Sequence, residues 1–169
     1  MPLPRRPRAI SVPAVVALLV VAGCGKKLPL PAPPPIVIAA PEPKKVTATV
    51  TIAASRDVNP DANGRPSPVV VHVYQLTGDA VFNRAEFFAL VDDDKKALGE
   101  TMISREQYFL QPADQKSVDL DLDAKAGYLG VMAEYRDFRN ANWRAVMPAP
   151  KGKLTVSVER ARVAIAATP

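Results

Sequence analysis

The sequence contains a single cysteine and a single histidine among its 169 residues. An internal disulfide needs two cysteines, so an exported fold of this chain must be stabilised by its hydrophobic core. Transition-metal sites take most of their ligands from cysteine and histidine, and Cys24 and His72 alone supply too few. We therefore expect neither a metal centre nor another cofactor.

The sequence also lacks the motifs that catalytic sites use. It has no Gly-rich phosphate loop, nucleophile elbow or paired-carboxylate motif. Asp92, Asp93 and Asp94 are the best cation candidates, but calcium loops space their ligands at alternate positions around a glycine. His72 lies in the middle of a β-branched run, where we interpret it as a strand residue rather than a base. The chain is predicted not to be an enzyme.

The N-terminal residues have the three-part pattern of an export signal. Arg5, Arg6 and Arg8 precede an apolar run over residues 9–22. This run is shorter than the roughly 20 apolar residues that span a bilayer, and Pro13 would disrupt a permanent helix. Residues 1–23 are therefore predicted to be a signal peptide.

The tetrapeptide Val21-Ala22-Gly23-Cys24 resembles the lipobox of bacterial lipoproteins. The resemblance implies attachment of diacylglycerol to Cys24, cleavage before it and acylation of the new amine. Each buried methylene contributes about 0.8 kcal/mol, so several acyl chains hold a domain where one chain is marginal. Gly25 follows, and by resemblance to lipoprotein sorting in Gram-negative bacteria the lack of aspartate there favours the outer membrane. A simple cleaved signal with an unmodified cysteine is the alternative.

Positive charge is scattered along the sequence. The net charge is +5, but Arg5, Arg6 and Arg8 would be removed with the signal peptide, and no basic run exceeds two residues. Nucleic-acid binding uses a clustered basic patch. We therefore do not expect a nucleic-acid partner.

Residues 24–45 are predicted to be the lipidated cysteine and a proline-rich tether. Seven prolines follow the cysteine, namely Pro29, Pro31, Pro33, Pro34, Pro35, Pro41 and Pro43. They favour polyproline II, which rises about 3.1 Å per residue, so the tether could span on the order of 50–65 Å. A docking motif for a proline-reading module is the second interpretation.

From Val46 onward the sequence consists of short segments with β-strand patterns. They are residues 46–55, 68–76, 106–111, 117–122, 127–136, 142–147 and 153–166. In the last segment the apolar parity changes, which requires a bulge or a turn near Arg160. Such strands without strand–helix alternation predict an all-β, two-sheet antiparallel β-sandwich over residues 46–169.

One segment has a helical pattern instead. Asn83 can cap a helix, Glu86 can complete a capping box, and Phe82 can pack on Phe87 as a hydrophobic staple. We predict a short inserted helix over about residues 84–91 that covers one side or end of the sandwich.

A loop of twelve residues, 56–67, separates the first two predicted strands, although hairpin connections usually have two to five. It contains Asn59-Pro60-Asp61 and then Asn63-Gly64, whose glycine supplies a positive φ. Long structured loops at the end of a sandwich are common binding surfaces. Partner binding is one interpretation, and an ordinary surface loop is the other.

The loop and the strand after it, NPDANGRPSPVVVHVYQL over residues 59–76, resemble the TssJ lipoproteins of type VI secretion systems. The similarity continues through residues 86–90 (EFFAL) and the three aspartates that follow. It also includes residues 128–131 (YLGV) and Trp143-Arg144. It spans about residues 46–158.

This resemblance implies a transthyretin-like β-sandwich with an added helix, anchored by lipid in the outer membrane and facing the periplasm. Members of the family bind the periplasmic C-terminal part of the inner-membrane protein TssM and help to build a trans-envelope complex. The loop between the first two strands carries much of that contact, which maps here to residues 56–67. The implied partner-binding residues are Asn59, Asp61, Asn63 and Arg65, with Gly64 and Pro66 shaping the loop.

A small-ligand or glycan-binding lipoprotein is the alternative function, because β-sandwiches often bind glycans through exposed aromatic side chains. It requires Tyr128, Tyr135 and Trp143 to be exposed together. Burial of Trp143 would argue against it.

Overall fold

The computed structural model describes residues 46–149 and 152–168. The predicted signal peptide, Cys24 and the tether lie outside the described residues. The elements are β1 (Val46–Ala54), β2 (Val69–Leu76), α1 (Ala80–Arg84), α2 (Phe87–Leu98), a 3₁₀ turn (Gly99–Thr101), β3 (Met102–Leu110), β4 (Gln115–Leu122), β5 (Tyr128–Ala133), β6 (Arg144–Pro148), β7 (Lys153–Val158) and β8 (Val163–Ala167).

The strands form two four-stranded sheets, with the orders β4-β1-β7-β8 and β3-β2-β5-β6. The predicted two-sheet β-sandwich is confirmed. One feature differs from the prediction, because β1 and β7 pair in parallel and the first sheet is therefore mixed. A parallel pair needs a long crossover, and here β2 to β6 and both helices lie between β1 and β7 in the chain.

The alternation in each strand directs one set of side chains into a core between the sheets. In β1 this set is Ala48, Val50, Ile52 and Ala54, all of which are buried. Each fully buried valine or isoleucine contributes roughly 1.5–3 kcal/mol. The parity change near Arg160 is confirmed as a turn between β7 and β8, closed by the Glu159 N–H donating to the Arg162 carbonyl at 2.8 Å.

The two helices supply a second core on one face of the β3-β2-β5-β6 sheet. Its buried residues are Tyr74, Leu76, Phe82, Phe87, Leu90, Leu98 and Met132. Gly130 of β5 permits the close approach of α1, since a Cβ there would lie 3.1 Å from the Phe82 ring and 3.0 Å from Leu76 Cδ1. The helices cover one side of the sandwich, as predicted.

The predicted single helix over residues 84–91 is wrong in its boundaries, because two helices flank an extended break at Ala85 and Glu86. Arg144 explains the break. Its Nη1 donates to the carbonyls of Phe82 at 3.1 Å and Ala85 at 2.6 Å, which satisfies backbone acceptors at the end of α1. Asn83 therefore lies inside α1, and Glu86 occupies the N-cap position of α2 without a side-chain cap bond.

The second helix continues beyond the predicted end through a kink at Asp93, whose φ of −156° and ψ of 78° are not helical. Asp93 Oδ1 accepts the Lys96 N–H at 3.0 Å, so it caps a further helical turn. Asp93 and Asp94 thus lie at the start of this turn, where the helix dipole favours acidic side chains. Asp94 is buried and accepts from Arg105 Nη1 at 2.8 Å, which ties α2 to β3.

Candidate interaction site

The connection between β1 and β2 is attached to the sandwich at both of its ends. Val58 is fully buried in the main core, and Ser67 is also buried. The Ser67 N–H donates to the Val58 carbonyl at 3.1 Å, which closes the base of the loop. The residues between them project from the end of the sandwich as a structured loop.

Asn59 holds this loop against the neighbouring connections. Its Nδ2 donates to the Pro68 carbonyl at 2.7 Å, and its Oδ1 accepts the Arg136 N–H at 2.9 Å. Its own N–H donates to the Arg160 carbonyl at 3.1 Å. The residue has a φ of 47° and is only 4% exposed. Its side chain therefore organises the loop, and the predicted contact of Asn59 with a partner stays a prediction.

Asp61 and Arg65 close the outer part of the loop. Asp61 Oδ1 accepts the N–H groups of Asn63 at 2.8 Å and Arg65 at 2.9 Å. Asp61 Oδ2 accepts Nε and Nη2 of Arg65, both at 2.8 Å, in a two-pronged ion pair. The backbone repeats the link, with the Asp61 N–H donating to the Arg65 carbonyl at 2.8 Å. Residues 61–65 form a tight turn held by both main chain and side chains.

These contacts lower the pKa of Asp61 below its ordinary value of 3.8. The main cause is the hydrogen bond from the Arg65 N–H, and the Arg65 side chain and the Asn63 N–H act in the same direction. The Arg136 charge contributes as well. Asp61 is therefore a carboxylate throughout the neutral pH range, and the ion pair with Arg65 persists.

The tip of the loop, residues 62–66, is exposed to solvent. Gly64 has a φ of 78°, which favours glycine, and its N–H donates to the Asp61 carbonyl at 2.9 Å. The Arg65 side chain is 76% exposed despite its ion pair. The structure thus brings Asn63, Gly64, Arg65 and Pro66 to the surface together, with Asp61 beneath them.

A groove of about 600 Å³ lies beside this loop. It is bounded by three connections, those between β1 and β2, β5 and β6, and β7 and β8. Its lining residues are Asn59, Pro60, Asp61, Ala62, Tyr135, Arg136, Asp137, Ala141, Arg160 and Ala161. Of these, only Asn59 and Asp61 were predicted as site residues. Arg136 and Arg160 were missed, because no local sequence pattern indicates that they meet the first loop.

The residues that were considered as a catalytic base or as cation ligands make contacts within the fold. His72 is 4% exposed, and its Nε2 lies 2.6 Å from Glu134 Oε1. Asp93 and Asp94 make the cap and the ion pair described above. Within residues 46–149 and 152–168, no group of three histidine, cysteine or acidic side chains is arranged to hold a metal ion. The same residues include no helix that is long and apolar enough to span a membrane.

The aromatic residues required for glycan binding are not exposed together. Tyr135 is 3% exposed and donates its hydroxyl to the Glu159 carbonyl at 3.0 Å. Trp143 is half-buried, and its ring centroid lies 5.2 Å from that of Phe87. The Arg144 guanidinium also lies 4.5 Å from the Trp143 ring centroid. The glycan-binding alternative therefore lacks its surface.

The fold has close relatives among solved structures. The lipoprotein TssJ1 of Pseudomonas aeruginosa is 29% identical with a TM-score of 0.71, and the match covers 75% of this chain and 98% of that one. The membrane-bound type VI component Lip of Serratia marcescens is 26% identical with a TM-score of 0.68, over 75% and 99% of the two chains. No curated protein matches the chain.

A family model agrees with these structures. The model for type VI secretion lipoproteins, which names VasD, EvfM and TssJ, matches residues 46–167. This range includes every described strand and helix, together with the loop and the groove. The chain therefore belongs to the type VI secretion lipoprotein family, whose members are membrane-anchored structural components of the secretion system and not a known enzyme family.

Proposed function

We propose that this lipoprotein binds the periplasmic C-terminal domain of TssM through residues 56–67. On this proposal, lipid on Cys24 holds it at the periplasmic face of the outer membrane. The two attachments would make it a link in the trans-envelope complex of a type VI secretion system. The observation that carries the proposal is the loop itself, whose tip is exposed while Asn59 and Asp61 fix its conformation.

A loop with a fixed conformation suits a binding role. Ordering a flexible segment on association costs free energy, and a loop that is already ordered avoids most of this cost. The exposed tip offers an amide at Asn63 and a guanidinium at Arg65, and arginine is enriched at protein interfaces. We assign the direct contacts to Asn63 and Arg65, with Asp61 supporting Arg65. Gly64 and Pro66 determine the shape of the loop, and Asn59 determines its position.

The comparisons with solved structures support TssM as the partner. A chain in a structure described as a type VI membrane complex is 29% identical with a TM-score of 0.64. A chain in a structure described as the TssM C-terminal domain from EAEC is 27% identical with a TM-score of 0.62, and the match covers 100% of that chain. Chains similar to this one thus occur in structures that are described as a type VI membrane complex and as the TssM C-terminal domain.

Affinity measurements with the periplasmic domain of the cognate TssM test the assignment. We expect Arg65→Glu to weaken binding about tenfold or more, because it reverses the charge of an exposed interface group. Asn63→Ala should weaken binding without changing the charge. Arg84→Glu, at another exposed arginine on α1, is the matched control and should bind normally. Unchanged affinity of both loop variants would remove the loop from the interface.

A further inference from the structure

We propose that the groove beside the loop binds an acidic side chain of the protein partner between Arg136 and Arg160. This inference rests on the proposed partner binding at this end of the sandwich and adds the chemical group that is recognised. It follows from the hydrogen-bonding state of the four charged residues that line the groove, Asp61, Arg136, Asp137 and Arg160.

Both carboxylates already accept hydrogen bonds from within the chain. Asp61 accepts two backbone N–H groups and two nitrogens of Arg65. Both oxygens of Asp137 accept from Asn140 Nδ2, at 2.9 and 3.0 Å. A cationic ligand would therefore have to compete with existing donors at both carboxylates.

The two arginines, in contrast, have donors available. Among the described residues, the Arg136 side chain has no ion pair within 4.0 Å, although its charge helps to lower the pKa of Asp61. Arg160 lies 3.9 Å from Asp57, and the two side chains are 57% and 56% exposed. Such an exposed and distant pair contributes little. The planar guanidinium matches a carboxylate through two parallel N–H donors, so the groove offers two such sites for an incoming acid.

The remaining lining residues leave room for this group. Pro60, Ala62, Ala141 and Ala161 are small and offer only apolar surface from their side chains. The volume of about 600 Å³ is within the roughly 300–1,000 Å³ of ligand pockets. An extended partner segment could thus place an aspartate or glutamate between the arginines while its backbone follows the exposed loop.

The loop is hydrogen-bonded to Arg136 and Arg160 only through the main-chain groups of these two arginines. The Arg136 N–H donates to Asn59 Oδ1, and the Arg160 carbonyl accepts the Asn59 N–H. Substituting either side chain leaves both bonds in place. Variants at these positions should therefore fold and keep the loop conformation, so a change in affinity reports on the groove.

The test uses the full chain in detergent, titrated with the periplasmic domain of the cognate TssM. We expect Arg136→Gln and Arg160→Gln each to weaken binding about tenfold and to reduce its salt dependence. Arg139→Gln and Arg162→Gln remove the same charge from the same two connections but lie outside the groove lining. These controls should stay within about twofold of the unmodified chain.

Each outcome separates the inference from the proposed function. Normal binding by both groove variants would overturn the inference and leave TssM binding intact. Equal weakening by all four variants would also overturn it, because the partner would then respond to overall charge. Failure of the unmodified chain to bind TssM would overturn the proposed function, and the inference with it.

Discussion

Asn59 shows how one buried residue can fix the position of a loop. Its φ of 47° lies in the left-handed region, which asparagine tolerates better than most residues. Both polar groups of its side chain bond to backbone atoms, one in its own loop and the other in the connection between β5 and β6. Asn59 therefore links two connections that are distant in the sequence.

We expect Asn59→Ala to lower the free energy of unfolding by about 2–3 kcal/mol. The substitution leaves the part-buried Pro68 carbonyl and Arg136 N–H without their partner, which costs less than the roughly 1–3 kcal/mol of a fully buried group for each. It also places alanine at a φ of 47°, where a side chain other than that of asparagine is strained. It should also weaken TssM binding by loosening the loop. Urea unfolding measures the first effect, with Asn63→Ala as an exposed control. A loss below about 0.5 kcal/mol would contradict this account.

The sequence predicted the turn at Asn59 but not the direction of its side chain. Asn-Pro-Asp indicates a turn through local backbone preferences. The burial of Asn59 depends on Arg136, which is 77 positions away in the sequence. Such a contact becomes visible only once the topology is known. The same reason explains why Arg136 and Arg160 were missed as site residues.

The Asp61–Arg65 turn should be insensitive to pH across the neutral range. The pKa of Asp61 is lowered in the folded chain. The stability that its ionised form contributes is therefore complete above pH 3.8 and is lost as the pH falls through the lower pKa of the folded state. NMR shifts of the Asn63 and Arg65 amides should therefore titrate below pH 3.8. Titration of these amides between pH 5 and 7 would contradict the hydrogen-bonded arrangement, and Asp61→Asn should abolish their titration.

At the scale of elements, the helical region depends on contacts that sequence patterns do not contain. The pattern at residues 82–87 satisfied the rules for a helix start. Arg144 from β6, however, donates hydrogen bonds to the Phe82 and Ala85 carbonyls, and α1 ends there. Similarly, β3 begins at Met102, well before residue 106. It is an edge strand with few buried side chains, so its alternation is weak in the sequence.

Gly130 determines how closely α1 packs on β5. We expect Gly130→Ala to cost about 1–3 kcal/mol, because its Cβ would press on the fully buried Phe82 and Leu76. Thermal unfolding should show the loss, while TssM binding stays normal in the folded protein. Combining it with Phe82→Leu should relieve the clash, so the double variant should lose less stability than the sum of the two single variants. Strict additivity would argue against this contact.

At the scale of the whole molecule, the sandwich was predictable and the groove was not. Period-two alternation records burial strand by strand, so the core of β1, β4 and β7 could be inferred directly from it. The groove forms where three connections from both sheets meet, and its residues come from positions 59 to 161. No local pattern carries information over that separation.

The proposed lipid on Cys24 is the other half of the proposed link. We expect Cys24→Ser to release the chain from the membrane and to abolish type VI secretion, because the complex would lose its outer-membrane attachment. Binding of the purified variant to TssM should be unchanged, since Cys24 precedes the whole of the described fold. Secretion assays and membrane fractionation test both points. Full secretion by a soluble variant would contradict the anchoring role.

The position of β1 has a mechanical consequence. This strand begins at Val46, immediately after the proposed tether, and leads directly into the loop at Ser55. When Cys24 is held by lipid and residues 56–67 by a partner, tension passes along the backbone of β1, which is hydrogen-bonded on one side to β4 and on the other to β7. The seven other strands lie outside this covalent path. A pull across the periplasm would thus stretch one strand lengthwise, while the rest of the sandwich maintains the shape of the loop.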